Sequence, residues 1–343
     1  MVAIGERRPE RTVLPGAGAG RPAGLAPLLL LLALALIVRL APAVYFNAEV
    51  ADLTTYQRMA DIVLRGHNIY FQHVLFPYTP LSLFLPAFCD LLAQATGVSF
   101  SLVVKGPAIL ADVAITGLLY VIAQRTPRRT GPAVALGLLY ALNPVTILIS
   151  AFHGNMTVVA VAFGLAAYAC AVSARRDEHL WLSALLLGMA IGFRSYPVLW
   201  LPFFLIRLPL TWRQRAVFTA LAALPSVATL LPYVVASWRD LLREAFTYSG
   251  FPDYGWVAII RDAHLLLPSS APSPHLKERL HLSKKLFLAA YTLFVAVAAV
   301  RPRWFSLAGA LTVSSLLFFV VYGGVSSQYL GWVLPFGLLS SLP

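Results

Sequence analysis

The sequence predicts an all-α polytopic membrane protein, and three observations predict it. Of the 343 residues, 59% are hydrophobic and 12% charged, with a mean hydropathy of +0.77. A soluble domain is about 45–50% apolar and about 25% charged. The apolar residues gather in runs approaching the ~20 residues that span a bilayer as a helix. Strands this apolar on both faces do not make a porin-type barrel, so the runs must satisfy their backbone as helices. Finally, the basic residues fall in short Arg clusters between the runs, as cytoplasmic loops do. The net charge of +12 therefore reads as topology and not as a nucleic-acid surface. Only four of the basic residues are lysines: Lys105, Lys277, Lys284 and Lys285. Cys89 and Cys170 lie in apolar stretches, where no disulfide is expected.

In chain order, residues 1–22 are rich in Gly, Pro and Arg and read as a disordered cytoplasmic tail. They precede a single transmembrane domain over 23–343. The first span is 24–45. Ala41-Pro42-Ala43 resembles a signal-peptidase site, but the apolar run continues through Val44, Tyr45 and Phe46, so a retained helix is expected. After a mixed stretch over 47–78, apolar runs follow at 79–96, 106–124, 132–150, 156–173, 180–193, 196–206, 215–236, 285–300, 304–322 and 332–343. The polar segment 237–284 interrupts them.

Charge sets the parity of these runs. The N-terminus, with Arg7, Arg8, Arg11 and Arg21, is placed inside. If 79–96 crossed, Arg125, Arg128, Arg129, Arg175, Arg176, Arg207, Arg213, Arg215, Arg301 and Arg303 would all fall outside; if it does not, all fall inside. The run 79–96, which holds Pro80, Pro86, Asp90 and Gln94, is thus read as an interfacial or re-entrant helix at the outer face. About ten crossings remain, with both ends inside. The outer face then carries a first loop over 46–105, a short link over 150–155, the long segment 237–284 and the stretch 323–332. Runs 180–193 and 196–206 are too short to span alone. They meet at Phe193-Arg194-Ser195-Tyr196-Pro197, a break tolerated at membrane depth where it lines a polar cavity.

Residues 52–66 read as an amphipathic helix with Leu53, Tyr56, Ala60, Val63 and Leu64 on its apolar stripe and Gly66 as its C-cap. Asp52 has two readings. It can cap the helix N-terminus, or, at the water–lipid boundary, serve as a general base that takes the proton of an attacking hydroxyl. Glu49 and Asp61 are lesser carboxylates, Asp61 on the solvated face.

The stretch Asp52…Tyr56…Ala60…Gly66-His67-Asn68-Ile69-Tyr70…Phe76-Pro77-Tyr78-Thr79-Pro80-Leu81 resembles the first outer loop of GT-C glycosyltransferases. It is most similar to the mannosyltransferases that open GPI-anchor synthesis and, more loosely, to bacterial polyprenol-dependent mannosyltransferases. The resemblance continues, in order, at Asn143-Pro144, His153-Gly154-Asn155, Tyr196-Pro197-Val198 and Ser327-Gln328-Tyr329…Trp332. It implies a GT-C bundle and a polyprenyl-phosphate sugar as donor, mannose first among the sugars. It also implies transfer to a glycan, lipid or protein acceptor with Asp52 as catalytic base, and leaves open a small membrane partner subunit such as the GPI-pathway enzymes need; attack opposite the phosphate predicts inversion at the anomeric carbon. The GPI enzymes carry an Asp-x-Asp pair where this chain has Val50 and Asp52. One carboxylate makes a poor site for a hard divalent cation, so no metal and no bound cofactor are expected. Where relatives place a base before Gly-Asn and an acid two residues after, this chain has His153 and Thr157.

Other candidates carry two readings each. Arg194 and Arg39 could hold the donor phosphate or simply snorkel. His153 and Asn155 could bind phosphate or sugar, or shape a tight turn. Gln328, Tyr329 and Trp332 could line the sugar pocket, or the two aromatics could stand in an interfacial belt. Tyr56, Tyr78 and Pro80 shape the loop. Arg261 and Asp262 read as solvated. No P-loop, dinucleotide fingerprint, metal-ligand spacing or Ser-His-Asp pattern occurs. The rival classes are a transporter or lipid flippase, which would also want broken helices and intramembrane Arg, and an inactive scaffold. The site would face outside at the plasma membrane of a prokaryote, or the lumen of the endoplasmic reticulum in a eukaryote.

Overall fold

The structure, a computed structural model, describes residues 24–46, 51–71, 76, 78–125, 130–173, 177–247, 253–266 and 275–341. The tail expected over 1–22 lies outside the described residues, as do Glu49, Val50, Pro77, Arg128, Arg129, Arg175 and Arg176. Among the described residues there are fourteen α-helices and no strand. They are α1 (Leu25–Tyr45), α2 (Ala51–Leu64), α3 (Leu81–Thr96), α4 (Phe100–Gln124), α5 (Thr130–Ala141), α6 (Pro144–Ile147), α7 (Thr157–Val172), α8 (Asp177–Phe193), α9 (Leu201–Arg207), α10 (Trp212–Thr247), α11 (Gly255–Leu266), α12 (Leu276–Val300), α13 (Leu307–Val321) and α14 (Leu334–Ser340).

Among the described residues four stretches are long and apolar enough to cross a membrane: Leu25–Tyr45, Phe100–Gln124, Trp212–Arg243 and Glu278–Val300. The pair Gly131–Ala141 and Pro144–Phe152, bent by 46°, makes a fifth if counted as one span. The chain is thus a helical membrane protein. Several runs expected to cross form shorter helices: α7 has 16 residues, α8 has 17 and α13 has 15. Breaks cause this. Arg194 and Ser195 leave the helix after α8, and the chain re-enters through a 3-10 turn over Tyr196–Trp200 that opens on Pro197. The polar segment 237–284 is largely helical where described, holding the end of α10, α11 and the start of α12. Ser237 (φ −162°, ψ 56°) kinks α10 where that segment begins.

The Arg-bearing connectors and the expected outer segments each make contacts among themselves. At the connector end, the Arg125 guanidinium meets the Ser173 hydroxyl, Arg207 donates to the Pro302 carbonyl, and Tyr120 OH donates to Gly24 O at 3.2 Å. At the opposite end the expected outer segments meet one another. Asn68 Nδ2 donates to Ser237 Oγ (3.2 Å), and the Tyr70 and Tyr233 rings pack edge to face at 5.5 Å. Asp253 and Tyr254 both donate their backbone N–H to Val325 O at 3.1 Å.

Two buried cations tie the bundle. Lys105 of α4, fully buried, donates Nζ to Phe46 O (3.1 Å) and Ala43 O (3.4 Å), satisfying carbonyls at the C-terminal end of α1. Deeper, Arg39 is fully buried and donates Nε to Asp112 Oδ2 (2.8 Å), Nη1 to Ala141 O (2.9 Å) and Nη2 to Thr146 Oγ1 (3.0 Å). Tyr140 OH donates to the other Asp112 oxygen at 2.6 Å. This network grips the break between α5 and α6. There Asn143 accepts from the backbone N–H of Val145 (2.9 Å) and Thr146 (3.3 Å), with Pro144 opening the new turn.

Candidate active site

The site is hung from that break. After α6 the chain passes through a π-helical turn over Leu148–Phe152, a form that often marks functional positions. It then reverses at Gly154, whose φ of +60° is costly for any residue with a Cβ. A Cβ there would also stand 2.9 Å from Leu53 Cδ2 and 3.0 Å from Lys105 Cγ, so the turn closes onto α2 and α4 only with glycine.

The turn aims Asn155, which is 3% exposed. Its Oδ1 accepts from the Thr157 backbone N–H at 2.9 Å. That bond fixes the amide, so Nδ2 must face the other way. There Nδ2 donates to Asp52 Oδ2 at 3.1 Å and to Gln328 Oε1. Asp52 stands half-buried in the first turn of α2. Three segments far apart in sequence thus meet through one amide. They are the first outer loop, the link 150–155 and the 3-10 turn over Ser327–Trp332.

Beside this pair lies Arg194, 5% exposed at the end of α8. Its Nε donates to Thr157 Oγ1 (3.2 Å), its Nη2 to Tyr56 OH (3.2 Å) and its Nη1 to Phe193 O (3.4 Å). The Tyr78 ring covers the guanidinium with its centre 4.0 Å from Cζ. None of these partners is a carboxylate. Asp52 and Tyr329 lie within electrostatic reach of it. Tyr56 OH also accepts from Met156 N at 3.4 Å. Burial pushes the Tyr56 phenol up to about 12; Arg194 acts downward and Asp52 upward.

The loop carrying Tyr78 is pinned by Tyr70 OH donating to Tyr78 O (3.0 Å) and by Thr79 Oγ1 donating to Gly192 O. Pro80 precedes α3, its carbonyl accepting from Leu83 N at 2.9 Å. On the far side Trp332 stacks on Tyr196 with ring centres 3.3 Å apart, and Tyr329 tilts against Trp332 at 4.4 Å.

Asp52, Tyr56, Tyr78, Asn155, Arg194, Gln328 and Tyr329 therefore come together. His153 stands at the edge, half-buried, its ring edge-on to Phe152 at 5.7 Å and without a hydrogen bond to the cluster among the described residues. Arg39 departs from its sequence reading as a phosphate ligand. Asp112 already neutralises it deep in the bundle, so it calls for no further anion. Sequence reasoning missed Asp112, Lys105 and the part played by Thr157. A lone charge inside an apolar run is signal enough to have flagged Asp112. Asp61 pairs with Arg65 (2.7 Å) and Arg261 with Asp262 (2.6 Å), both at the surface. Among the described residues no three His, Cys, Asp or Glu side chains converge on one point. Compared with known proteins, the chain matches no family model and no curated protein.

Proposed function

We propose that this chain is a GT-C-like glycosyltransferase with a bundle of about ten spans and its site on the extracytoplasmic side. It would move a sugar, mannose first among the candidates, from a polyprenyl-phosphate donor to an acceptor hydroxyl. One observation carries the reading. A half-buried carboxylate, Asp52, and a buried guanidinium, Arg194, to which no carboxylate among the described residues is bonded, share one cluster. A buried cation without a bonded counter-charge is costly, and an anionic ligand would lower that cost.

In this reading Asp52 accepts the proton of the acceptor hydroxyl as its oxygen attacks the anomeric carbon. The bond from that carbon to the phosphate oxygen breaks on the opposite face, and its electron pair leaves with the phosphate. Arg194 stabilises the departing charge in a site of low dielectric. Attack opposite the leaving group inverts the anomeric centre. Asn155 holds the base through one Asp52 oxygen, and Tyr56 orients the guanidinium.

The test uses purified protein in nanodiscs with synthetic polyprenyl-phosphate sugars. Wild type transfers sugar, and Asp52→Asn and Asp52→Ala lose it by ~10²-fold or more. Full transfer by both variants removes Asp52 as the base. No transfer by wild type with any donor removes the enzyme reading and leaves a transporter or scaffold.

A further inference from the structure

We infer that a small cavity behind Gln328 is the site of one structural water, and that through it Asp112 acts as a positioning residue for the Asn155–Asp52 pair. The cavity measures about 10 Å³, and Asp112, Tyr140, Thr146, Thr157, Gln328 and Trp332 are among the residues that line it. That is room for about one water. It lies between two networks that no direct bond connects among the described residues: Arg39–Asp112–Tyr140 within the bundle, and Asp52–Asn155–Gln328 with Thr157–Arg194 at the outer end.

A second observation points to an occupant. The Trp332 indole N–H is buried and has no hydrogen-bond partner among the described residues. Buried donors left unpaired are rare and costly, and a polar cavity of this size commonly holds the water that satisfies them. The lining supplies what such a water needs. Trp332 Nε1 offers a donor. Gln328 uses Oε1 on Asn155 and so has its Nε2 donor to spare. Each Asp112 oxygen accepts one bond and has a lone pair left. The Thr157 hydroxyl oxygen accepts from Arg194 and can accept again. Two donors and two acceptors complete a tetrahedral water.

The consequence concerns orientation. If the Gln328 amide turned over, its Nε2 would face Asn155 Nδ2, donor against donor. A water held by Asp112 favours the observed turn and thereby keeps Asn155 Nδ2 directed at Asp52. Asp112 never touches substrate; it acts through water and two amides.

The water site stands on geometry alone, while its effect on turnover rests on the proposed transfer reaction. Protein labelled with ¹⁵N-glutamine is measured in nanodiscs, with the Gln328 side-chain amide assigned by its loss in Gln328→Glu. Wild type should give a water cross-peak to that amide. Val161 also lines the cavity, and Val161→Ile adds one methyl to the space without touching a polar group. Val161→Ile should abolish the cross-peak and shift the amide. It should also lower kcat on the order of tenfold, with donor KM unchanged. Asp112→Asn should shift the same amide. A wild-type amide with no water contact, or a Gln328 resonance unmoved in both variants, overturns the proposal. If wild type transfers no sugar, the resonance readouts still decide the water site, and only the reaction is lost.

Discussion

The Arg194 guanidinium lies 4.0 Å from the centre of the Tyr78 ring, buried beneath it. Among the described residues its hydrogen bonds go to neutral groups, the hydroxyls of Thr157 and Tyr56 and the carbonyl of Phe193. Arg39 is as deeply buried but bonded to Asp112. The two arginines should therefore respond oppositely to removal. Arg39→Met strands Asp112 in the interior and should destabilise by about 3–5 kcal/mol. Arg194→Met removes a buried charge with no bonded carboxylate among the described residues and should leave the melting temperature in detergent unchanged or raised. Polyprenyl phosphate should raise the melting temperature of wild type and not that of Arg194→Met. Equal losses of stability in the two variants would contradict the contrast.

Asn155 offers a sharper probe of the base. Asn155→Asp puts a second carboxylate where the amide donated, so that it repels Asp52 and leaves Gln328 Oε1 without its donor. Asn155→Ala only frees them. Transfer should fall further in Asn155→Asp than in Asn155→Ala, and lowering the pH should restore part of the Asp variant's activity. Initial rates across a pH series check this.

Gly154→Ala tests the turn. It combines a backbone of φ +60° with a Cβ 2.9 Å from Leu53 Cδ2. The loss should be about 1–3 kcal/mol. Gly331→Ala, whose Cβ meets only Ile149 Cδ1 at 3.5 Å, should cost far less. Thermal denaturation of the pair checks the ranking.

Tyr56 makes an alkaline prediction. Its folded pKa of about 12 lies above the ordinary 10.0, so the stability it contributes is full below pH 10 and is lost as pH rises towards 12. The amount is about 3 kcal/mol. Tyrosinate absorbance of wild type and Tyr56→Phe should superimpose below pH ~11 and separate above it. Separation already near pH 10 would mean that the phenol is accessible.

Topology can be read with single cysteines after Cys89 and Cys170 are replaced by serine. A cysteine at Val98, 42% exposed between α3 and α4, should react with an impermeant maleimide on intact cells. One at Arg303, in the exposed connector before α13, should react only after permeabilisation. The reverse pattern would place the Asp52 cluster in the cytoplasm.

Much of this was legible in the chain. The runs at 24–45, 79–96, 106–124 and 156–173 became α1, α3, α4 and α7 with ends shifted by up to six residues, because an apolar run with a proline or glycine at its edge is local information. The break at Phe193-Arg194-Ser195 was legible for the same reason. The helix over 255–266 was not, since its apolar residues sit among polar ones in a segment that reads as a loop.

Composition and periodicity by themselves determined a helical membrane protein, where its chain breaks, and which end of each run bears arginine. These depend on neighbours within a few residues. Which arginine is neutralised and which is left wanting an anion was decided only by tertiary structure. Arg39 and Arg194 look alike as charges in apolar surroundings, yet the acid that quenches Arg39 lies 73 positions away and the hydroxyl of Tyr56 that orients Arg194 lies 138 away. Burial strengthens both interactions by excluding water, and only the packing of α1 on α4, and the approach of Tyr56 to the break after α8, chose the partners.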